Sequence, residues 1–170
     1  MLPMIMTDPL KDRERLQEIA NLRLHDGEVD DILNEYVEEA ARVFNLPVSL
    51  ATIILDSAQV FAAESGLEGW AKEANGTPVE WSFCVHSVRS GKPLVVEDAQ
   101  SHDLVKNNPS VTRDNVRCYA GVPLITSNGH IVGNFCVIGN IPRKFTDEEI
   151  EKLEAYATKT IRRIENRLNR

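Results

Sequence analysis

The stretch between Val29 and Phe44 constrains the fold more than any other part of the chain. Val29, Ile32, Leu33, Tyr36, Val37, Ala40, Ala41 and Phe44 recur at three- and four-residue steps. That is the α-helical period held over four turns, and it predicts a helix over residues 28–45 with one continuous apolar stripe. Asn45 and Pro47 end it. A stripe of that length must be laid against another apolar surface. The next segment offers one: Val48–Leu55 is rich in β-branched residues, turns at Asp56-Ser57-Ala58 and continues through Val60–Ala63. This pattern reads as a β-hairpin.

The remaining segments follow the same logic. Residues 8–24 read as a further helix, with Asp8 as N-cap, Pro9 at the first helical position, and Leu16, Ile19, Ala20 and Leu24 as its stripe. Asp26-Gly27 breaks it. Residues 66–78 form a glycine-rich loop that carries Trp70. Ser82–Ser90 reads as a short helix capped by Ser82 and stopped by Gly91. Leu94–Asp98 is a strand, and 99–116 is polar and irregular. Arg117–Thr126 and Ile131–Gly139 pair across Asn128-Gly129, a dipeptide suited to a two-residue turn with positive φ at both positions. Thr146 and Glu149 form a capping box for a helix over about 147–168, striped by Ile150, Leu153, Ala157, Ile161, Ile164 and Leu168. Long helices at both ends of an antiparallel sheet give an α+β architecture. A concave pocket is expected between one sheet face and the connecting loops.

Charge narrows the class of partner. The formal net charge of −7 repels phosphate backbones, and no Lys/Arg run counters it, so no nucleic-acid partner is expected. Lys159, Arg162, Arg163, Arg167 and Arg170 are spread around Glu165 as a solvated helix face. No segment approaches the roughly 18 apolar residues of a membrane span, and no membrane partner is expected. Met1–Met6 is short and lacks the basic start of a signal peptide. The three cysteines, Cys84, Cys118 and Cys136, are far apart and odd in number, which points to reduced thiols in a cytoplasm. A hydrophobic fraction of 42% over 170 residues is enough for one sizeable core.

The segment Trp81-Ser82-Phe83-Cys84-Val85-His86-Ser87-Val88-Arg89-Ser90-Gly91-Lys92-Pro93-Leu94-Val95-Val96-Glu97-Asp98-Ala99 resembles the central part of GAF domains. Asn108-Pro109-Ser110-Val111, Arg117–Leu124, Gly129–Ile138 and Pro142–Thr146 extend the likeness in order over about residues 28–168. The chain is thus similar to the bacterial GAF branch found ahead of sensor histidine kinases and diguanylate cyclases. The resemblance implies a GAF-like (profilin/PAS-like) fold, a central antiparallel sheet of five or six strands flanked by helices. It divides the chain into an N-terminal helical extension, residues 1–27, and a GAF domain, residues 28–170. It also implies a non-catalytic sensory module that binds an unidentified small molecule. Such a module forms a homodimer through its terminal helices and acts on a signalling kinase or cyclase. No such effector segment follows Arg170, so the expectation is a stand-alone module or a piece of something longer, and Met1 favours a natural N-terminus.

Trp70, Trp81, Phe83, Cys84, His86, Asp98 and Tyr119 are the candidate pocket residues. Each has a plainer reading: core packing for the aromatics, a hydrogen-bonded structural histidine for His86, and a turn cap for Asp98. No metal site is expected, because Cys84-x-His86 is the one close Cys/His pair and structural zinc needs four ligands. The residues name no cofactor. Covalent bilin attachment is disfavoured because Tyr119, not histidine, follows Cys118. Asn140…Phe145-Thr146-Asp147-Glu148 faintly resembles the motif of cyclic-nucleotide GAF domains, but lysine is missing after Asn140. One enzymatic alternative remains, a free methionine sulfoxide reductase using Cys84. That family's other cysteines lie in a loop corresponding to about 100–116, which has none here. Cys118 and Cys136 fall within strands, where cysteine packs as a small hydrophobe. A scaffold without any ligand is the third reading.

Overall fold

A sheet that is apolar on both faces organises the chain. The computed structural model describes residues 8–24 and 31–167. Val29, the Asp26-Gly27 break and Leu168 lie outside them. The strands are β1 (Val48–Ile54), β2 (Ala58–Ser65), β3 (Gly76–Pro78), β4 (Leu94–Val96), β5 (Cys118–Ile125) and β6 (Ile131–Gly139). All neighbours are antiparallel, in the spatial order β3-β2-β1-β6-β5-β4. The helices are α1 (Arg13–Asn21), α2 (Asp31–Phe44), α3 (Trp70–Ala74), α4 (Cys84–Ser90), α5 (Pro109–Thr112) and α6 (Asp147–Asn166). This is the α+β architecture expected, with six strands. The sixth is β3, which lies in the glycine-rich segment read as loop.

Side chains alternate between faces along each strand. Ala51, Ile53, Ala120, Val122, Phe135 and Val137 face one buried cluster. Leu50, Ile54, Tyr119 and Cys136 face the other. The first face is covered by long helices. Leu33, Val37, Ala40 and Phe44 of α2 lie on it with Leu153, Ala157, Ile161 and Ile164 of α6. Phe135 stacks on Tyr156 at 5.5 Å. The capping box starts α6: the Glu149 N–H donates to Thr146 Oγ1 at 3.2 Å, and the Thr146 N–H donates to Glu149 Oε1 at 3.0 Å. Both stripes are therefore buried within the chain. Among the described residues, Val43 is the one large apolar side chain left exposed on either helix.

Three local expectations are corrected. Residues 8–24 are not one helix. Asp8 caps a 3₁₀ turn, Pro9–Lys11, and the chain restarts at Asp12, whose carboxylate accepts the Glu14 N–H at 3.0 Å to open α1. Ala20 is exposed, and Leu10, Ile19 and Leu22 supply the buried contacts. Ser82 does not cap α4. Its hydroxyl is buried and donates to Gln59 Oε1 at 2.8 Å, while Phe83 takes the N-cap position without a side-chain bond. The β5–β6 turn has three residues: Gly129 alone has positive φ (85°), and its N–H donates to Thr126 O at 2.9 Å. A glycine following a turn in this way relieves the twist that a two-residue turn achieves with two positive φ angles.

Arg15 explains why the N-terminal segment stays on the sheet. It is buried, and its guanidinium donates to Ile54 O at 2.6 Å, Leu10 O at 2.8 Å and Pro9 O at 3.2 Å. Burial lowers its pKa, partly offset by Asp12, Asp8 and Asp56. Replacing it with methionine keeps the bulk but strands these carbonyls. Arg15→Met is expected to lower unfolding stability in urea by roughly 2–3 kcal/mol. A loss within 0.5 kcal/mol or so, the usual range for surface changes, would contradict this anchoring role.

Candidate functional site

The second face of the sheet is covered by short pieces only. These are α3, α4, α5 and the 3₁₀ turns Pro9–Lys11, Val79–Trp81 and Ala99–Ser101. Between them and the sheet lies a cavity of about 540 Å³. β1 and β2 give it Leu50, Gln59 and Phe61, while β5 and β6 give it Tyr119 and Ile138. Phe61 reaches it through an irregularity: pairing steps from Ala51 opposite Ala63 to Thr52 opposite Phe61, leaving Ala62 extra. Such a bulge re-aims the side chains beyond it.

Each aromatic wall is held by polar contacts behind it. Glu64 accepts the Leu67 N–H at 3.2 Å and pairs with Lys72 at 3.7 Å, which folds the segment carrying Trp70 back over β2. Asn75 ends α3 at φ 56°, a conformation asparagine tolerates. Ser110 Oγ donates to Trp81 O at 2.9 Å, and Asn108 caps α5 by accepting the Ser110 N–H at 2.8 Å. The Val79–Trp81 turn is thereby tied to α5. Trp70 and Trp81 meet edge to face at 5.0 Å, and Phe83 meets Tyr119 at 5.2 Å.

The floor is polar but closed. The Tyr119 hydroxyl lies 2.9 Å from Asn134 Oδ1 and 3.1 Å from Cys84 Sγ. Its single proton goes to one of them, and the amide oxygen is the stronger acceptor. Gly121 makes this bond possible, because a Cβ there would strike both Tyr119 Oη and Asn134 Oδ1. Burial pushes the Tyr119 pKa well up, and the adjacent Cys84 and Cys136 push the same way. Cys136 lies close to Cys84 in the same buried cluster, so the structure brings together two thiols that the sequence left apart. Burial, then Cys84, drives the Cys136 thiol well up. At Cys84 burial opposes the thiolate, but the polar groups around it, Cys136, Tyr119, Thr52 and Ser82, act the other way and leave the thiol below its ordinary value.

Of the seven candidate residues, Trp70, Trp81, Phe83, Cys84 and Tyr119 line this cavity. His86 and Asp98 do not. His86 stands two residues beyond Cys84, about 200° around the helix, and points elsewhere. It is half-buried, and its pKa is lowered by burial, Arg89 and His102. Asp98 accepts the Gln100 N–H and the Ser101 O–H at 3.2 Å each, so it caps the Ala99–Ser101 turn. Sequence reasoning missed Phe61, Glu68 and Asp114 as lining residues. The bulge hid the first, and the other two lie in segments without periodicity. No group of three or more His, Cys, Asp or Glu that could hold a metal occurs among the described residues. No helix there is long and apolar enough to cross a membrane.

Comparison with known proteins adds the following. A family model described as GAF domain matches residues 28–162. A cyclic di-GMP phosphodiesterase of Pseudomonas aeruginosa is 29% identical over 158 residues, covering 92% of this chain and 26% of that protein. The chain therefore spans about a quarter of the length of this curated relative. The GAF domain of a phosphoenolpyruvate-protein phosphotransferase from Coxiella burnetii matches with a TM-score of 0.67 and 16% identity, covering 94% of this chain and 96% of that one. The free methionine-R-sulfoxide reductase from Neisseria meningitidis, solved with its substrate, matches with a TM-score of 0.64 and 19% identity, covering 97% and 95%. At such identities the two structures show a common fold.

The thiols give a direct check of the floor. All three thiols are buried, but Cys84 lines the cavity and Cys118 and Cys136 do not. Iodoacetamide on native protein, followed by mass spectrometry, is expected to modify Cys84 roughly ten-fold faster than either of the others. Faster modification of Cys118 or Cys136 would contradict the arrangement.

Proposed function

The chain belongs to the GAF domain family, and from that premise we propose that it is a non-catalytic, small-molecule-sensing module in signal transduction. The observation that carries the reading is the cavity of about 540 Å³ between the sheet and its short covering elements. Its size is that of a small-ligand site, and its walls are mostly apolar with a few placed polar groups. The proposed contacts are Trp70, Trp81, Phe83, Cys84 and Tyr119, with Phe61 added. His86 and Asp98 are left out of the contact set because they stand outside the cavity.

The signalling half of the proposal is a homodimer through the terminal helices, coupled to a kinase, a cyclase or a cyclic-dinucleotide enzyme. The P. aeruginosa relative, by its name a cyclic di-GMP phosphodiesterase, supports the last. α2 and α6 pack beside each other on the face opposite the cavity. Their outer surfaces are polar, so the dimer is reversible and shifts with ligand. Sedimentation at micromolar concentration is expected to show a monomer–dimer equilibrium. A monomer throughout would remove this half.

Cys136 beside Cys84 favours one second reading, the free methionine sulfoxide reductase. A single experiment separates the two. Native protein is screened by thermal shift against nucleotides, amino acids, amines, aromatic acids and tetrapyrroles, and assayed for thiol-dependent reduction of free methionine sulfoxide. The sensing reading expects a saturable stabiliser, worth about 2.7 kcal/mol at 100 times its Kd, whose effect is lost in Trp81→Ala, and no turnover. Turnover that disappears in Cys84→Ser would overturn it. So would the absence of any stabiliser, which would leave a ligand-free scaffold.

A further inference from the structure

The ionisable groups around the cavity are of one sign. Its lining includes two carboxylates, Glu68 and Asp114, and no lysine, arginine or histidine. Both carboxylates are exposed, and neither takes part in an ion pair among the described residues. The nearby cations are turned to other tasks. Lys72 pairs with Glu64 at 3.7 Å, Arg117 donates to Val111 O and Val116 O at 2.9 Å, and Arg113 stands over the Trp81 ring at 5.6 Å. An anionic ligand would find no cation among the lining residues, with Arg113 reaching only the Trp81 ring, and would stand beside two carboxylates.

The aromatic residues point the same way. Phe61, Trp70, Trp81, Phe83 and Tyr119 all line the cavity. Aromatic faces attract cations, tryptophan most strongly, and rings grouped around a small site hold quaternary ammonium groups. Trp81 already takes a cation: the Arg113 guanidinium stands 5.6 Å from its ring centroid. Trp70 is 44% exposed, an indole left open to whatever enters.

We infer that the cavity takes an organic cation, a quaternary or protonated amine with an apolar body. In that arrangement the aromatic rings surround the ammonium group, and Glu68 and Asp114 balance its charge. This inference rests on the cavity being a ligand site, and it names the chemical class that the sensing proposal leaves open.

The chain's two tryptophans, Trp70 and Trp81, both line the cavity, so intrinsic fluorescence reports directly on it. The test titrates the protein with three probes of similar size: benzyltrimethylammonium, neutral 3-phenylpropan-1-ol and anionic 3-phenylpropionate. The cation is expected to change the emission saturably and to bind about ten-fold tighter than the alcohol, with the carboxylate weakest. In the Glu68→Gln/Asp114→Asn double variant, both positions being exposed, the cation should fall to within about two-fold of the alcohol while the alcohol is unchanged. Equal binding of all three, tightest binding of the carboxylate, or a cation preference that survives the double variant would overturn the inference and leave the sensing proposal standing. No saturable change with any probe would overturn this inference and, with an equally empty thermal-shift screen, the sensing proposal as well.

Discussion

The structure depends on a sheet whose two faces are both apolar and must both be covered. Alternation along β1, β5 and β6 sends Ala51, Ile53, Val122, Phe135 and Val137 one way and Leu50, Ile54, Tyr119 and Cys136 the other. Long helices meet the first demand. The stripes of α2 and α6 are each several turns long and cover the middle of their face, leaving a groove of about 470 Å³ along the seam between α6 and β5. The second face receives helices of four to seven residues and single 3₁₀ turns. Pieces that short cannot close-pack over a twisted surface, and the uncovered remainder is the cavity. The aromatic-lined cavity thus lies under the shorter covering elements, and the long helices leave a groove only along one seam.

Chemistry at the cavity floor is constrained by one close approach. Gly121 leaves room for Tyr119 to reach Asn134 and Cys84. The hydroxyl is thereby held inside an otherwise apolar layer, where an unpaired polar group would be costly. The same packing sets Cys84 and Cys136 together and separates their tendencies to ionise. The floor carries no permanent charge, and the charges of the site are the carboxylates Glu68 and Asp114.

Much of the scaffold was legible because long elements carry redundant signals. The α2 stripe, the α6 stripe opened by the Thr146–Glu149 box, and the two segments flanking Asn128-Gly129 each extend over many residues, and the structure places α2, α6, β5 and β6 there. The short elements were not legible. α3 and β3 together span only Trp70 to Pro78, too few residues for a period to show. The 8–24 segment looked continuous because Pro9 suits a helix start, yet Asp12 offers a second cap three residues later and the chain uses it. Among the site residues, the aromatics and Cys84 could be placed by their order in the sequence. His86 could not, since one helical step of two residues reverses its direction. Phe61 depends on a bulge at Ala62, and no local residue pattern announces an extra residue in one strand. The pairing of Cys84 with Cys136 is a contact across 52 positions of sequence, visible only once α4 lies over β6.

The central claim is that this face of the sheet is left open in order to hold a small molecule. The most direct test is a crystal structure of the protein as purified from cells or soaked with benzyltrimethylammonium. The account predicts ligand density enclosed by Trp70, Trp81, Phe83 and Tyr119, with those side chains in place. A cavity filled by its own side chains, with Trp70 or Phe61 collapsed onto Tyr119, would contradict it.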